Sequence, residues 1–365
     1  MRKYDKDLVE TMRGKQYVEN IDGVDILMKP VPDAVREHAL DPRLKEIIEK
    51  KAVMFKGRVR GGWRLSNERY RPDKITYDLV EGEVRVDEFL IDVNGDHKID
   101  MYAYLSADAK PGCPVLVYLH GGGFTAGDMR LFANQMKLIA EKSGALVLFP
   151  EYRLAPECPY PGPVEDCVAA VAWAYEHADD YGANPEKLMV AGDSAGGALS
   201  AACVHEDAEG HVKKLMGIYP AYDMRRPCDQ DDYAWSYDMY PVVDDERELA
   251  YGRIDRIKGS MDAADVATKN LYLQGKTSVD DPLVSAFCSN DGVLSQYPET
   301  VVVAAEYDYL RVGSDAMVRK LKGLGVPVRS IRYLGCDHGF LDMLGTIVQS
   351  EELCLTIADE LKVMG

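Results

Sequence analysis

Several things are missing from this 365-residue sequence. It contains no run approaching the ~20 apolar residues that a membrane span requires. Its first residues, MRKYDKDLVETMRGK, carry charge where an export signal needs a continuous apolar stretch. The expectation is a cytoplasmic protein without a membrane anchor. None of the eight cysteines (113, 158, 167, 203, 228, 288, 336 and 354) lies in a CxxC pair or clusters with histidine, which argues against a zinc site and a thioredoxin-type motif. Free thiols in a reducing compartment are expected. Positive charge is in short supply: 43 Lys and Arg against 61 Asp and Glu leave a net charge of -18. Such a surface repels phosphate backbones and anionic headgroups, so nucleic acid and membranes are poor partners. The sequence shows no internal repeat or low-complexity tract.

What is present describes an ordinary globular protein, with 47% hydrophobic and 28% charged residues, long enough for one large α/β domain with a subsidiary element. Residues 1–80 are highly charged and read as mostly helical, with Leu44, Ile47, Ile48, Val53, Met54 and Phe55 spaced for one helix face. Gly61-Gly62 and Pro72 suggest a linker. Residues 83–92 and 98–106 alternate apolar and polar around Asn94-Gly95, as a hairpin does. Short apolar runs follow at 114–119, 145–149, 187–191, 215–219, 300–305 and 328–333, suited to strands buried on both faces. Helical patterns occupy 128–142, 164–180, 194–207, 314–324 and 342–363. This alternation predicts a mostly parallel sheet of eight strands with helices on both faces. Residues 222–275, rich in tyrosine and aspartate and containing Trp235, interrupt the rhythm and read as an insertion.

Two glycine motifs carry chemistry. Gly192-Asp193-Ser194-Ala195-Gly196 is a G-x-S-x-G sequence between a strand-like and a helical run. A serine in a sharp strand-to-helix turn needs small neighbours, and the turn exposes its oxygen at a helix amino terminus. His120-Gly121-Gly122-Gly123-Phe124 follows directly on the strand 114–119. Consecutive glycines let backbone N–H groups approach a ligand oxygen closely, as stabilising an oxyanion requires. No Lys-Ser or Lys-Thr pair directly follows this run, and no G-x-G-x-x-G spacing makes a nucleotide loop of it.

HGGGF, YRLAPE (Tyr152 to Glu157) and GDSAGG (Gly192 to Gly197), in this order, resemble the hormone-sensitive-lipase branch of the α/β-hydrolase esterases. The resemblance covers residues 83–360. It implies an α/β-hydrolase fold with a helical cap formed by residues 1–80, a catalytic domain over 81–365, and 222–275 as a cap insertion. It also implies a serine esterase without cofactor or metal. The nucleophile would be Ser194, and the oxyanion donors would be the N–H groups of Gly122, Gly123 and Ala195. His120 and Gly121 would support the loop.

An acid and a base should follow in that order. Asp308 in Glu306-Tyr307-Asp308-Tyr309-Leu310 and His338 in Cys336-Asp337-His338-Gly339-Phe340 are similar to the family's acid and base motifs. Glu306 and Asp315 are rival acids, and Asp315 falls within a helical pattern. Tyr309 and Gln296-Tyr297-Pro298 depart from the family, where prolines are usual. Cys336 reads as a packing residue. Histidines 38, 97, 177, 205 and 211 read as ordinary surface groups.

The expected substrate is a small ester with a short acyl group, acetyl included. Non-catalytic ligand binding and peptidase activity on the same fold remain alternatives, and the oligomeric state is open, a homo-oligomer included.

Overall fold

A computed structural model describes residues 1–55, 64–70, 74–225, 232–262 and 268–364. In chain order the strands are β1 (Tyr17–Ile21), β2 (Val24–Lys29), β3 (Val84–Val93), β4 (His97–Ser106), β5 (Cys113–Leu119), β6 (Leu146–Pro150), β7 (Ala183–Asp193), β8 (Val212–Ile218), β9 (Glu299–Tyr307) and β10 (Val328–Asp337). The helices are α1 (Asp7–Lys15), α2 (Pro42–Phe55), α3 (Leu65–Arg69), α4 (Met129–Ser143), α5 (Gly162–His177), α6 (Ala195–Glu206), α7 (Arg247–Asp262), α8 (Asp291–Leu294), α9 (Arg311–Gly323) and α10 (Val348–Lys362).

The strands form one sheet in the order β1-β2-β10-β9-β8-β7-β5-β6-β4-β3. It is parallel from β2 across to β6 and antiparallel at both ends. Every residue of β5 is buried, as a strand covered on both faces requires. The covers are helix pairs, α4 against α10 and α5 against α6. Helix α4 shows how local chemistry sets such boundaries. Asp128 caps its start by accepting from Arg130 N, and Gly144 ends it in the left-handed conformation at φ 71°.

The predicted strands and helices are all present, with shifted ends. The strand count and the first segment need correction. Among the described residues the sheet has ten strands rather than eight, because residues 17–29 form a hairpin where a mostly helical segment is expected. Strand β2 pairs in parallel with β10, from Ser330↔Ile26 to Tyr333↔Lys29. Val24, Ile26 and Met28 alternate into the core, which is a period-two pattern. Asp22 and Gly23 supply the two positive φ values, 51° and 79°, of a tight hairpin turn. That Asp-Gly pair was the available sequence signal, masked by the surrounding charges.

Helix α2 forms as predicted, with Leu44 buried. Val53 is 75% exposed, so the packed face does not extend to that end of the helix. Gly61, Gly62 and Pro72, and the side chains of Met54 and Phe55, lie outside the described residues. Between β8 and β9 the described part of 222–275 contains no strand, and α7 is its principal element. No described helix is long and apolar enough to cross a membrane.

Candidate active site

Four parallel strands end one residue before a residue singled out above. Leu119 of β5 precedes His120, Asp193 of β7 precedes Ser194, Tyr307 of β9 precedes Asp308, and Asp337 of β10 precedes His338. Loops beyond the carboxyl ends of neighbouring parallel strands converge on one crevice.

Ser194 sits at φ 55°, ψ -118°, a strained backbone for a residue with a side chain. Its own backbone clamps it there: Ser194 N donates to Ile218 O at 2.9 Å, and Ser194 O accepts from Ala221 N at 3.0 Å. The turn is tight enough that a Cβ on Gly196 would run into the carbonyl oxygens of Leu119 and His120. Gly196→Ala is therefore expected to lower stability by about 1–3 kcal/mol through overpacking. Gly252→Ala, in α7 with no atom within 4 Å of the added carbon, should be neutral or stabilising. Urea unfolding of the two variants checks this contrast.

Two hydrogen bonds link the three residues named as nucleophile, base and acid. Ser194 Oγ and His338 Nε2 are 2.9 Å apart, and His338 Nδ1 and Asp308 Oδ2 are 2.8 Å apart. Asp308 is fully buried, and its second oxygen accepts from Leu310 N at 3.0 Å. From the segment between β8 and β9, the Tyr240 hydroxyl donates to the Asp308 carbonyl at 3.1 Å. The ring of Tyr219 meets the imidazole edge-on at 4.8 Å between centroids.

The rival carboxylates are occupied elsewhere. Glu306 accepts from Gly335 N at 2.7 Å and pairs with His38 Nδ1 at 2.8 Å, while Asp315 binds Arg332 with both oxygens. The Glu306 carboxylate holds His38 above the usual histidine range, although burial opposes it. Cys336 is buried, its Sγ donates to Tyr333 O at 3.4 Å, and burial pushes its thiol pKa up.

The glycine loop is tied to the serine turn by a residue whose role sequence reasoning missed. Asp193 accepts from Gly121 N at 2.8 Å and from the Tyr118 hydroxyl at 2.9 Å, both on Oδ1. Burial, reinforced by the neighbouring Asp342, raises the Asp193 carboxyl above the ordinary range. Position 122 requires glycine, because its φ is 139° and a Cβ would strike the Ala126 carbonyl. His120 is buried, stacks on Tyr152 at 4.3 Å, and its carbonyl accepts from the Tyr152 hydroxyl at 2.7 Å. The YRLAPE segment thus braces the loop. Phe124 stacks on Tyr272 with centroids 3.9 Å apart. In the described turns and caps, the N–H groups of Gly122, Gly123 and Ala195 donate to no backbone carbonyl.

Arg253 and Arg256 of α7 also reach this site, at Asp337 and at the His338 carbonyl. Nothing in the spacing of the sequence marks them. No group of three or more His, Cys, Asp or Glu placed to hold a metal occurs among the described residues.

Comparison with known proteins agrees with this architecture. A family described as alpha/beta hydrolase fold matches residues 116–342. Esterase LipI of Mycobacterium tuberculosis (strain ATCC 25618 / H37Rv) is 27% identical over 315 residues, covering 86% of this chain and 92% of that protein. Lipase 2 of Moraxella sp. (strain TA144) is 29% identical over 246 residues, which is 63% of this chain, and the match spans 55% of the lipase's own length. The solved hyperthermophilic esterase from the archaeon Pyrobaculum calidifontis superposes with a TM-score of 0.72 at 26% identity, over 89% of this chain and 99% of that one. With the family match covering more than half of the sequence and the sheet, the serine turn and the glycine loop in place, the chain belongs to the alpha/beta hydrolase fold family, in its hormone-sensitive-lipase-like branch.

Proposed function

We propose that the protein is a serine carboxylic-ester hydrolase that cleaves short-chain acyl esters through an acyl-enzyme intermediate. The observation that carries this reading is the unbroken relay from Ser194 Oγ through the imidazole of His338 to Asp308. His338 Nε2 takes the serine proton as Oγ bonds to the ester carbonyl carbon. The resulting oxyanion is received by the N–H groups of Gly122, Gly123 and Ala195, held in place by the Gly121–Asp193 tie. Collapse breaks the bond to the alcohol oxygen, and His338 returns its proton to that oxygen. Water, deprotonated by His338, then attacks the acyl carbon and releases the carboxylic acid with Ser194 restored.

Asp308 Oδ2 accepts from Nδ1, which fixes the tautomer that leaves Nε2 free to accept and stabilises the imidazolium formed in each half. No step draws on a cofactor or metal. The relatives named as esterases, and the archaeal esterase of like fold, support ester over amide as the substrate bond.

The acyl group is short in this reading because the segments assigned to the cap, the part of residues 1–80 outside the hairpin β1–β2 and residues 222–275, are charged. They include Arg43, Lys45 and Glu46 in the first and ten aspartates in the second. Such surfaces do not favour docking on lipid, and the net charge of -18 repels an anionic interface. A panel of p-nitrophenyl esters tests this. The value of kcat/KM should be highest for acyl chains of about two to six carbons, each methylene adding ~0.8 kcal/mol of burial until space runs out. Faster hydrolysis of emulsified long-chain triglyceride than of acetate or butyrate esters would overturn the short-acyl assignment.

A further inference from the structure

Asp337 stands immediately before His338 at the end of β10, and its side chain is fully buried. Among the described residues, its ion pairs come from one helix. Arg253 Nε of α7 donates to Oδ2 at 2.5 Å, and an Arg256 nitrogen lies 3.6 Å from the same oxygen. Arg256 Nη2 also donates to the His338 carbonyl at 2.9 Å. The two arginines are three residues apart and so share a helix face. Asp337 Oδ1 has no hydrogen-bond partner among the described residues. Burial opposes ionisation of Asp337, but Arg253 and Arg256 outweigh it and hold the carboxyl below its usual range.

The charged groups around His338 can be sorted by origin. Asp308 comes from the connection between β9 and α9, and Asp193 from the serine turn. Asp342 lies in the turn Phe340–Met343 and is paired with Lys74. The phenol ring of Tyr219 is neutral. Among the described residues, only Arg253 and Arg256 come from the segment between β8 and β9. Neutralisation of the carboxylate beside the base therefore depends on where α7 sits.

We propose that Asp337, Arg253 and Arg256 are positioning residues that latch α7 to the base, so that covering of the site and competence of His338 are one event. With α7 seated, the charge of Asp337 is cancelled and the imidazole is free to accept the serine proton. With α7 lifted, an uncompensated carboxylate stabilises the imidazolium, which cannot act as a base. The inference rests on the catalytic reading above and deepens it, by giving the cap helix a direct electrostatic hold on the base.

The test is the pH dependence of kcat/KM for a soluble short-chain ester, measured on the full chain with folding checked by circular dichroism. Arg253→Gln/Arg256→Gln should move the acid limb to higher pH, and Asp337→Asn should move it to lower pH, each by about one unit. The triple variant, which lacks both the carboxylate and the two guanidiniums, should return close to the parent, and Arg253→Lys should also stay near it. If the buried substitutions prevent folding, Arg256→Gln alone, at a side chain 43% exposed, should still give a smaller upward shift. NMR titration of the His338 ring protons reads the same displacements without turnover. Acid limbs that do not move, or that move in the same direction in the arginine and aspartate variants, would overturn the latch. Absence of ester turnover in the parent would count against the catalytic reading, and the ring titration would still decide the latch.

Discussion

Ser194→Ala is expected to leave a folded protein whose ester turnover has fallen by at least about 10³-fold, with only the background contributed by binding and the oxyanion loop remaining. The size of the effect follows from position. Ser194 is the residue that the clamped turn presents to His338 Nε2, and among the described residues no second hydroxyl or thiol bonds to that nitrogen. Cys336 cannot substitute, because it is buried with its sulfur directed to Tyr333 O. The backbone donors are untouched by the change, so substrate affinity should survive while the covalent step is lost. The measurement is pre-steady-state release of p-nitrophenol, with mass spectrometry for the acyl adduct. A burst of acylation in the alanine variant would refute the nucleophile assignment.

Asp308→Asn is also expected to be crippling, with a loss of about 10⁴-fold in kcat, since an amide in that position favours the wrong imidazole tautomer and cannot stabilise the imidazolium. Glu306→Gln and Asp315→Asn should retain most activity, because neither carboxylate touches the imidazole. Glu306 is held by His38 and Gly335 N, and Asp315 by Arg332. Some loss of stability is expected in both, as each leaves a buried partner less well satisfied. Comparing kcat at matched folded concentration separates the two effects. Inactivation by Glu306→Gln with Asp308→Asn still active would exchange their roles.

The contrast between Glu306 and Asp308 shows where sequence reasoning reaches its limit. Both stand near the end of one strand, and motif similarity ranks them without a physical criterion. The structure separates them through an irregularity in the neighbouring strand. The pairing of β10 with β9 shifts register between Tyr333 and Asp337, and Gly335, at φ 69°, turns its N–H toward Glu306. A bulge of this kind re-aims groups near strand ends, and its consequence for a residue some thirty positions earlier cannot be read from either local sequence.

The central architecture was legible because its signals are local. Buried parallel strands appear as short apolar runs, their helices as 3.6-residue patterns between them, and the serine turn as glycines that no larger residue could replace. The hairpin β1–β2 was lost because its alternation is carried by few apolar residues among many charges, although its Asp-Gly turn was there to be weighed.

By itself, then, the sequence determined the order of strands and helices from β3 onward, the serine turn, the glycine loop and the order of the three polar residues after their strands, since each is written within about ten consecutive residues. Only the tertiary structure decided that β2 extends the sheet beside β10, that Asp193 ties the glycine loop to the serine turn, that Asp308 rather than Glu306 meets His338, and that α7 grips Asp337. Each of these is a pairing between residues distant in the chain. Which distant partners meet is set by sheet register and side-chain direction, and these exist only once the chain has folded.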